Sequence, residues 1–102
     1  MPYTLQEQRD MVDPAVTVLA NRLAEATDEM ETADCAGQLN YVITTLLIKF
    51  IKARFGKIRY KVGAMISGAL VNVYSEFYRR VMVDYENRKI EENGDVGYED
   101  IL

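Results

Sequence analysis

Apolar side chains recur at helical spacing along the second half of the chain, and this pattern limits what the chain can fold into. Six of them would share one face of an α-helix: Val62, Ile66, Leu70, Val73, Phe77 and Val81. No proline and no two-residue hairpin turn interrupts the run between Gly56 and Gly94, which disfavours strands although Val, Ile and Tyr are frequent. The spacing predicts a long helix over roughly residues 60–92.

Two further helices are predicted before this one. Asp13 followed by Pro14 is typical of a helix start, because Asp caps free N–H groups and Pro has no N–H to leave unpaired. The first helix is therefore expected over roughly residues 13–29. A second apolar stripe predicts a helix over roughly residues 34–54, and Gly56 is well placed to end it.

These elements predict an all-α fold, an antiparallel bundle of three main helices in a single domain over residues 1–102. Residues 1–12 and 95–102 are expected to be irregular arms. The second and third helices are apolar around much of their circumference, and the first helix is too thin a partner to cover both. We therefore expect a homodimer to complete the bundle, since two-fold dimers are the commonest oligomers.

The composition excludes several kinds of site. Cys35 is the single cysteine, which excludes an intramolecular disulfide and a cysteine-based zinc cluster. The chain has no histidine, which excludes a Ser-His-Asp triad and a histidine-ligated metal. The first ten residues do not resemble a signal peptide, and the longest apolar stretch is about half the roughly 20 residues that span a bilayer. We expect a cytoplasmic protein with no cofactor and no evident catalytic activity.

Charge is segregated along the chain, although the total is only −4. Residues 1–34 carry a net charge of −6, residues 35–83 of +7 and residues 84–102 of −5. An acidic chain is not typical of a dedicated nucleic-acid binder, so nucleic acid is not the partner that the composition predicts. The basic middle is suited either to a polyanion or to the acidic ends of the chain itself.

The bases concentrate in one short segment that also contains aromatic residues. The candidate residues for binding phosphate or nucleic acid are Lys52, Arg54, Lys57, Arg59 and Lys61. Cations interleaved with aromatic rings, here Phe55 and Tyr60, are typical of surfaces that bind phosphate backbones and stack bases. The alternative interpretation is a turn that docks against the acidic ends.

Carboxylates form a second candidate site. Glu25, Asp28 and Glu29 are spaced i, i+3, i+4 and would share one helix face. Together with Glu76, the one acid in the middle of the chain, they could hold Mg²⁺, which prefers oxygen ligands. The alternative interpretation is a solvated helix end, because surface carboxylates are common.

Polar residues on or beside the apolar stripes form a third group, which could line a pocket or an interface. Its members are Asn40, Tyr41, Asn72, Glu76, Tyr78, Arg79 and Arg80. A buried amide or ion must find partners, and such residues often determine helix register or oligomeric state. Glu76 has Arg79 at i+3 and Arg80 at i+4, so an ion pair within the helix is expected.

Two segments carry a resemblance to a known family. They are AGQLNYVIT over residues 36–44 and YSEFYRRVMVDYENRKIEENGDV over residues 74–96. They resemble a family of short, uncharacterised helical proteins of bacteria and tailed phages that is classed as a domain of unknown function. The resemblance implies a helical fold and an origin related to phages, and it implies no activity. Ten residues match the motifs of this family: Asn40, Tyr41, Tyr78, Arg79, Arg80, Tyr85, Glu86, Asn93, Gly94 and Asp95.

A second resemblance is to nucleotide pyrophosphohydrolases of the MazG type. These helical enzymes hold Mg²⁺ with an E-x-x-E pair on one helix and an E-x-x-D pair on the next. The residues Glu25 and Asp28 are similar to the first pair, whereas the second helix departs from the pattern, because no acid lies between Cys35 and Phe55. The resemblance would imply Mg²⁺-dependent nucleotide hydrolysis.

The leading hypothesis is a small helical oligomerisation or interaction protein without catalytic activity. Its physical basis is the surplus of apolar helix surface and the absence of catalytic constellations. A Mg²⁺-dependent hydrolase built on the carboxylates is the first alternative. Binding of phosphate or nucleic acid through the basic segment is the second.

Overall fold

The computed structural model describes residues 2–102, and all of the regular secondary structure in this range is helical. The elements in chain order are α1 (Gln6–Ala26), α2 (Thr32–Phe55), α3 (Tyr60–Phe77), a π-helical segment (Tyr78–Met82), α4 (Val83–Asn93) and a 3-10 turn (Tyr98–Asp100). Because α3, the π segment and α4 follow one another without a break, residues 60–93 are one helical run. The all-α fold with three main helices is confirmed.

Helix α1 begins earlier than predicted. The Asp13-Pro14 start was wrong, because the helix begins at Gln6 and Pro14 lies inside it. The first turn has its own cap: the Leu5 N–H donates to Gln8 Oε1 at 3.1 Å, and the Gln8 N–H donates back to the Leu5 carbonyl at 3.0 Å. This cap stabilises two turns ahead of the proline, although a proline inside a helix removes one backbone hydrogen bond.

The end of α1 is also earlier than expected. The helix ends at Ala26, and the Thr27 hydroxyl donates to the Leu23 carbonyl at 2.8 Å. A hydroxyl that bonds a carbonyl one turn back competes with the N–H groups that would continue the helix. Residues 27–30 therefore form a turn, which had been predicted as helix up to residue 29.

Helix α2 ends as the sequence predicts. Gly56 has a φ of 83°, and its N–H donates to the carbonyls of Ile51 and Lys52 at 3.1 and 3.2 Å. This left-handed backbone is open to glycine without the clash that a Cβ would introduce. Gly94, with a φ of 86°, ends the third helical run in the predicted place.

The chain divides into two compact units, Pro2–Ile66 and Ser67–Leu102. The first unit holds the two most buried apolar side chains, Val62 at 8% exposed and Ile66 at 9%. Near them along the chain, the rings of Phe50 and Phe55 meet edge to face at 5.8 Å. The most buried side chains of the first unit therefore lie in the first two turns of α3, and the ring contact lies at the end of α2.

The second unit has no comparably buried side chain among the residues that the structure describes. It consists of the later turns of α3, the π segment, α4 and the C-terminal residues. Within the described range, no helix is both long enough and apolar enough to cross a membrane. The single domain and the homodimer predicted from the sequence stay predictions.

Candidate functional site

The basic residues cluster where α2 passes into α3. We name this surface the basic connection and define it by Lys52, Arg54, Lys57, Arg59 and Lys61. The first two lie in the last turn of α2, the next two between the helices, and the fifth in the first turn of α3. All five side chains are exposed. The short distance along the chain and the sharp turn at Gly56 thus bring the predicted group together on one part of the first unit.

The basic connection has no acidic neighbour in its own chain within the described range. None of its five cations forms an ion pair there, whereas Arg79, Arg88 and Lys89 of the second unit each contact a carboxylate. The Arg54 guanidinium lies 4.9 Å from the centre of the Phe55 ring, which is a cation–π contact. Tyr60 is 91% exposed. The connection is therefore a solvated, positively charged surface with an aromatic ring at its edge.

The predicted carboxylate face is not formed. Glu25 lies in α1, but Asp28 and Glu29 follow the end of that helix and lie in the turn, so the three do not share a helical face. Glu76 belongs to the other unit. In residues 2–102, no three acidic or cysteine side chains lie close enough together to hold a metal ion. The Mg²⁺ hypothesis gains no support from this arrangement.

Asn40 and Tyr41 lie on the outside of α2. The Thr44 hydroxyl donates to Asn40 Oδ1 at 3.2 Å, and both residues line a surface hollow of 480 Å³ together with Tyr41. Asn40 and Asn72 are exposed, so neither amide lies in the core of a single chain. Both remain available to an interface.

A larger apolar hollow of 510 Å³ lies between the end of α1 and the start of α2. It is lined by Ala20, Leu23, Ala24, Thr27, Thr32, Cys35, Ala36 and Leu39. Half-buried Cys35 is the single thiol here. Small side chains on both helices leave this space open, and the polar groups at its wall are few.

The polar group in the second unit is organised along one helical run. Glu76 is half-buried and accepts a hydrogen bond from Arg79 Nη2 at 2.7 Å, which is the predicted i, i+3 ion pair. The Tyr74 and Tyr78 rings stack with their centres 6.2 Å apart. Arg80 is exposed. Each of these contacts joins residues about one turn apart along the helical run.

The π segment explains a contact that sequence spacing did not predict. The Tyr78 hydroxyl lies 3.3 and 3.4 Å from the two carboxylate oxygens of Glu86, eight residues later. In a regular α-helix a separation of seven residues returns to the same face, because two turns hold about 7.2 residues. The π segment holds one extra residue, so a separation of eight aligns there instead. No glycine or proline marks the segment, which is why it was missed.

This contact changes the acidity of the phenol. The negative charge of Glu86 raises the pKa of Tyr78 above its usual value of 10.0, and the hydrogen bond to the same carboxylate adds to the effect. Tyr78 therefore stays neutral and donates to Glu86 at neutral pH. The pair links the π segment to the next turns of α4.

The second unit also exposes most of the predicted apolar stripe. We name the bare part the exposed stripe and define it by Leu70, Val73, Phe77 and Val81. Val73 is 65% exposed and Phe77 is 59% exposed, whereas Val62 and Ile66 on the same face are buried. Periodicity identified this face correctly, and the structure shows that the chain covers only its first two turns.

Comparison with known proteins identifies one relationship. The model of a domain of unknown function, DUF6899, matches residues 1–96. No curated protein and no solved structure matches the chain. The predicted resemblance to an uncharacterised family is confirmed, whereas the bacterial or phage origin and the resemblance to MazG enzymes stay predictions.

Proposed function

Because the chain belongs to the DUF6899 family, a domain of unknown function, we propose its function from its surfaces. It is a self-associating helical protein that acts through its assembled form. The exposed stripe supports this most directly. Burying apolar surface is the main favourable term in folding, and large bare patches rimmed by polar residues are typical of interaction sites. A second copy of the chain carries the same stripe and can cover it.

The accessible area of the chain supports the same proposal. The chain exposes 9238 Å², whereas a folded monomer of its mass exposes about 5,900 Å². The difference, about 3,300 Å², exceeds the roughly 1,000–2,500 Å² that each partner buries in an obligate homodimer. Enough surface is therefore available for a stable interface between two copies.

The second unit needs such a cover to be stable. Its described ion pairs lie within one helical run and are exposed except at half-buried Glu76, and helical pairs of this spacing contribute only about 0.2–0.5 kcal/mol each. Isolated helices are marginal in water, and most helix stability in proteins comes from packing of an apolar face. We propose that packing of the exposed stripe against its counterpart supplies this stability.

The experiment is a measurement of mass and thermal stability at several protein concentrations. We expect light scattering to give twice 11.7 kDa at micromolar concentration and the Tm to rise with concentration, because dissociation accompanies unfolding of a dimer. Val73→Asp should lower the dimer fraction strongly by placing a charge in the stripe. The matched control is Val96→Asp, which adds the same charge at a largely exposed residue of the C-terminal segment. A monomer whose cooperative melt does not depend on concentration would contradict the proposal.

A further inference from the structure

The basic connection and the acidic C-terminal part of the chain carry opposite charges. The basic connection forms no ion pair there, and residues 84–102 carry a net charge of −5. Opposite potentials across an interface favour association and select one orientation of the partners. Two copies placed in opposite directions can satisfy both surfaces at once.

The register follows from the position of the exposed stripe. Its outer members are Leu70 and Val81, so the midpoint lies between residues 75 and 76. A two-fold axis at this point runs the two helical segments antiparallel. Lys61 of one copy then lies opposite Ile90 of the other, and Arg59 lies opposite Glu92, within about one residue because of the π segment. Measured along the helical run, the midpoint of the exposed stripe and the oppositely charged ends of the two copies thus coincide.

We propose that the basic connection is the docking site for the acidic end of α4 of a second copy, which makes the dimer antiparallel. The acids at this position are Glu91 and Glu92, of which Glu92 also contacts Lys89 Nζ of its own chain at 3.0 Å, and the cations are Arg59 and Lys61. Two-fold symmetry forms the contact twice, at the two ends of the exposed stripe. This inference rests on the proposed self-association and specifies its orientation and partner surface.

A charge exchange between two variants tests the contact. The first variant is Arg59→Glu with Lys61→Glu, and the second is Glu91→Lys with Glu92→Lys. Each variant alone places like charges together at both ends of the homodimer, so we expect its dimer Kd to rise about 10- to 100-fold. The equimolar mixture restores opposite charges at both ends. We therefore expect a heterodimer, measured by native mass spectrometry, with a Kd close to that of the unchanged protein.

The controls separate this contact from general effects of charge and from loss of folding. Arg9→Glu with Arg22→Glu on α1 makes the same change in net charge as the first variant and should leave the dimer Kd within about threefold. Circular dichroism of each variant and of the mixture measures the helicity that is retained. Recovery of the heterodimer also requires that both chains are folded. The Kd of the unchanged protein should also rise with salt.

Each outcome has a distinct meaning. If both variants keep the dimer Kd of the unchanged protein, the charge contact is wrong although self-association through the stripe stands. If the unchanged protein is monomeric, the proposed function itself fails. If the first variant leaves the dimer intact but abolishes binding of a labelled 20-nucleotide single strand that the unchanged protein binds at low salt, the basic connection is a phosphate-binding surface and the docking proposal is overturned.

Discussion

The two units of the chain are stabilised in different ways. In Pro2–Ile66, a sharp turn at Gly56 separates α2 from α3, and the buried side chains Val62 and Ile66 lie in the first two turns of α3. In Ser67–Leu102, the contacts of the described residues lie along one helical run and include ion pairs, the Tyr74–Tyr78 ring stack and the Tyr78–Glu86 hydrogen bond. The comparison shows that one apolar stripe can be a core over its first turns and a surface over the remainder.

The largest expected effect is at the buried end of the stripe. Ile66→Ala should lower the free energy of unfolding by about 3 kcal/mol, because it removes buried methyl groups and leaves a cavity. Urea unfolding followed by circular dichroism measures the change. Ile101→Ala removes the same groups from a largely exposed residue and should cost less than about 0.5 kcal/mol. Equal losses of unfolding free energy for the two substitutions would contradict the difference in burial between Ile66 and Ile101.

A gain in stability is expected from the first unit. Pro14→Ala should raise the free energy of unfolding by about 2 kcal/mol and increase helicity, since alanine restores a backbone hydrogen bond to the carbonyl four residues earlier. Circular dichroism and a thermal melt give both quantities. If the helix instead began at Asp13, the substitution would change stability by only a few tenths of a kcal/mol.

The exposed stripe should respond in a way that depends on protein concentration. In one chain Phe77 is already 59% exposed, so Phe77→Ala should change the unfolding of a dilute monomer little. In the proposed dimer the ring would be covered, and the loss should be about 1–2 kcal/mol per chain. Melts at 1 and 100 times the lowest usable concentration compare the two states. A constant effect of the substitution would show that the stripe is not at the interface.

The polar contacts of the second unit give a smaller signal that depends on pH. Glu86→Gln should lower the pKa of Tyr78 toward 10.0, because it removes the negative charge that raises it. The folded chain holds this phenol proton more tightly than the unfolded chain. The contribution of the pair to stability is therefore present below pH 10 and is lost as the pH rises through the folded pKa. NMR of ring-labelled tyrosine measures the titration, and an unchanged pKa in the variant would contradict the Tyr78–Glu86 contact.

The smallest expected effect is that of Mg²⁺. Because Asp28 and Glu29 lie beyond the end of α1, a few millimolar Mg²⁺ should stabilise the protein by less than about 0.3 kcal/mol in a thermal melt. Glu25→Gln serves as the comparison. A shift of several degrees that this substitution removes, and that a nucleotide enlarges, would restore the hydrolase hypothesis.

Sequence reasoning was most successful where a residue has one strong backbone preference. Gly56 and Gly94 end helices where expected, because few other residues tolerate their φ angles. Pro14 misled, because a proline is compatible with a helix start but does not require one, and the bond between Leu5 and Gln8 supplied an earlier start. Local preference thus located the two helix ends that a glycine marks, and it failed at both ends of α1, where the bonds of Gln8 and Thr27 decide.

The candidate site was predictable in composition and only partly in geometry. The five cations of the basic connection are close in the chain, so any turn at Gly56 brings them together. The carboxylate face required a helix to continue past Ala26, and the Thr27 hydroxyl bond opposes that. Periodicity identifies the apolar face of a helix. It carries no information on which turns of that face a single chain will cover.

The π segment has a consequence for how this chain can change by mutation. The segment holds one residue more than a regular helix would, so deletion of one codon within residues 79–82 would convert it to regular helix without breaking it. Tyr78 and Glu86 would then be seven residues apart, a separation that returns to the same face of a regular helix. A single-residue deletion at this place would therefore keep the apolar and the charged sides of the helical run in their present alignment, whereas the same deletion elsewhere in the run would rotate everything after it by about 100°.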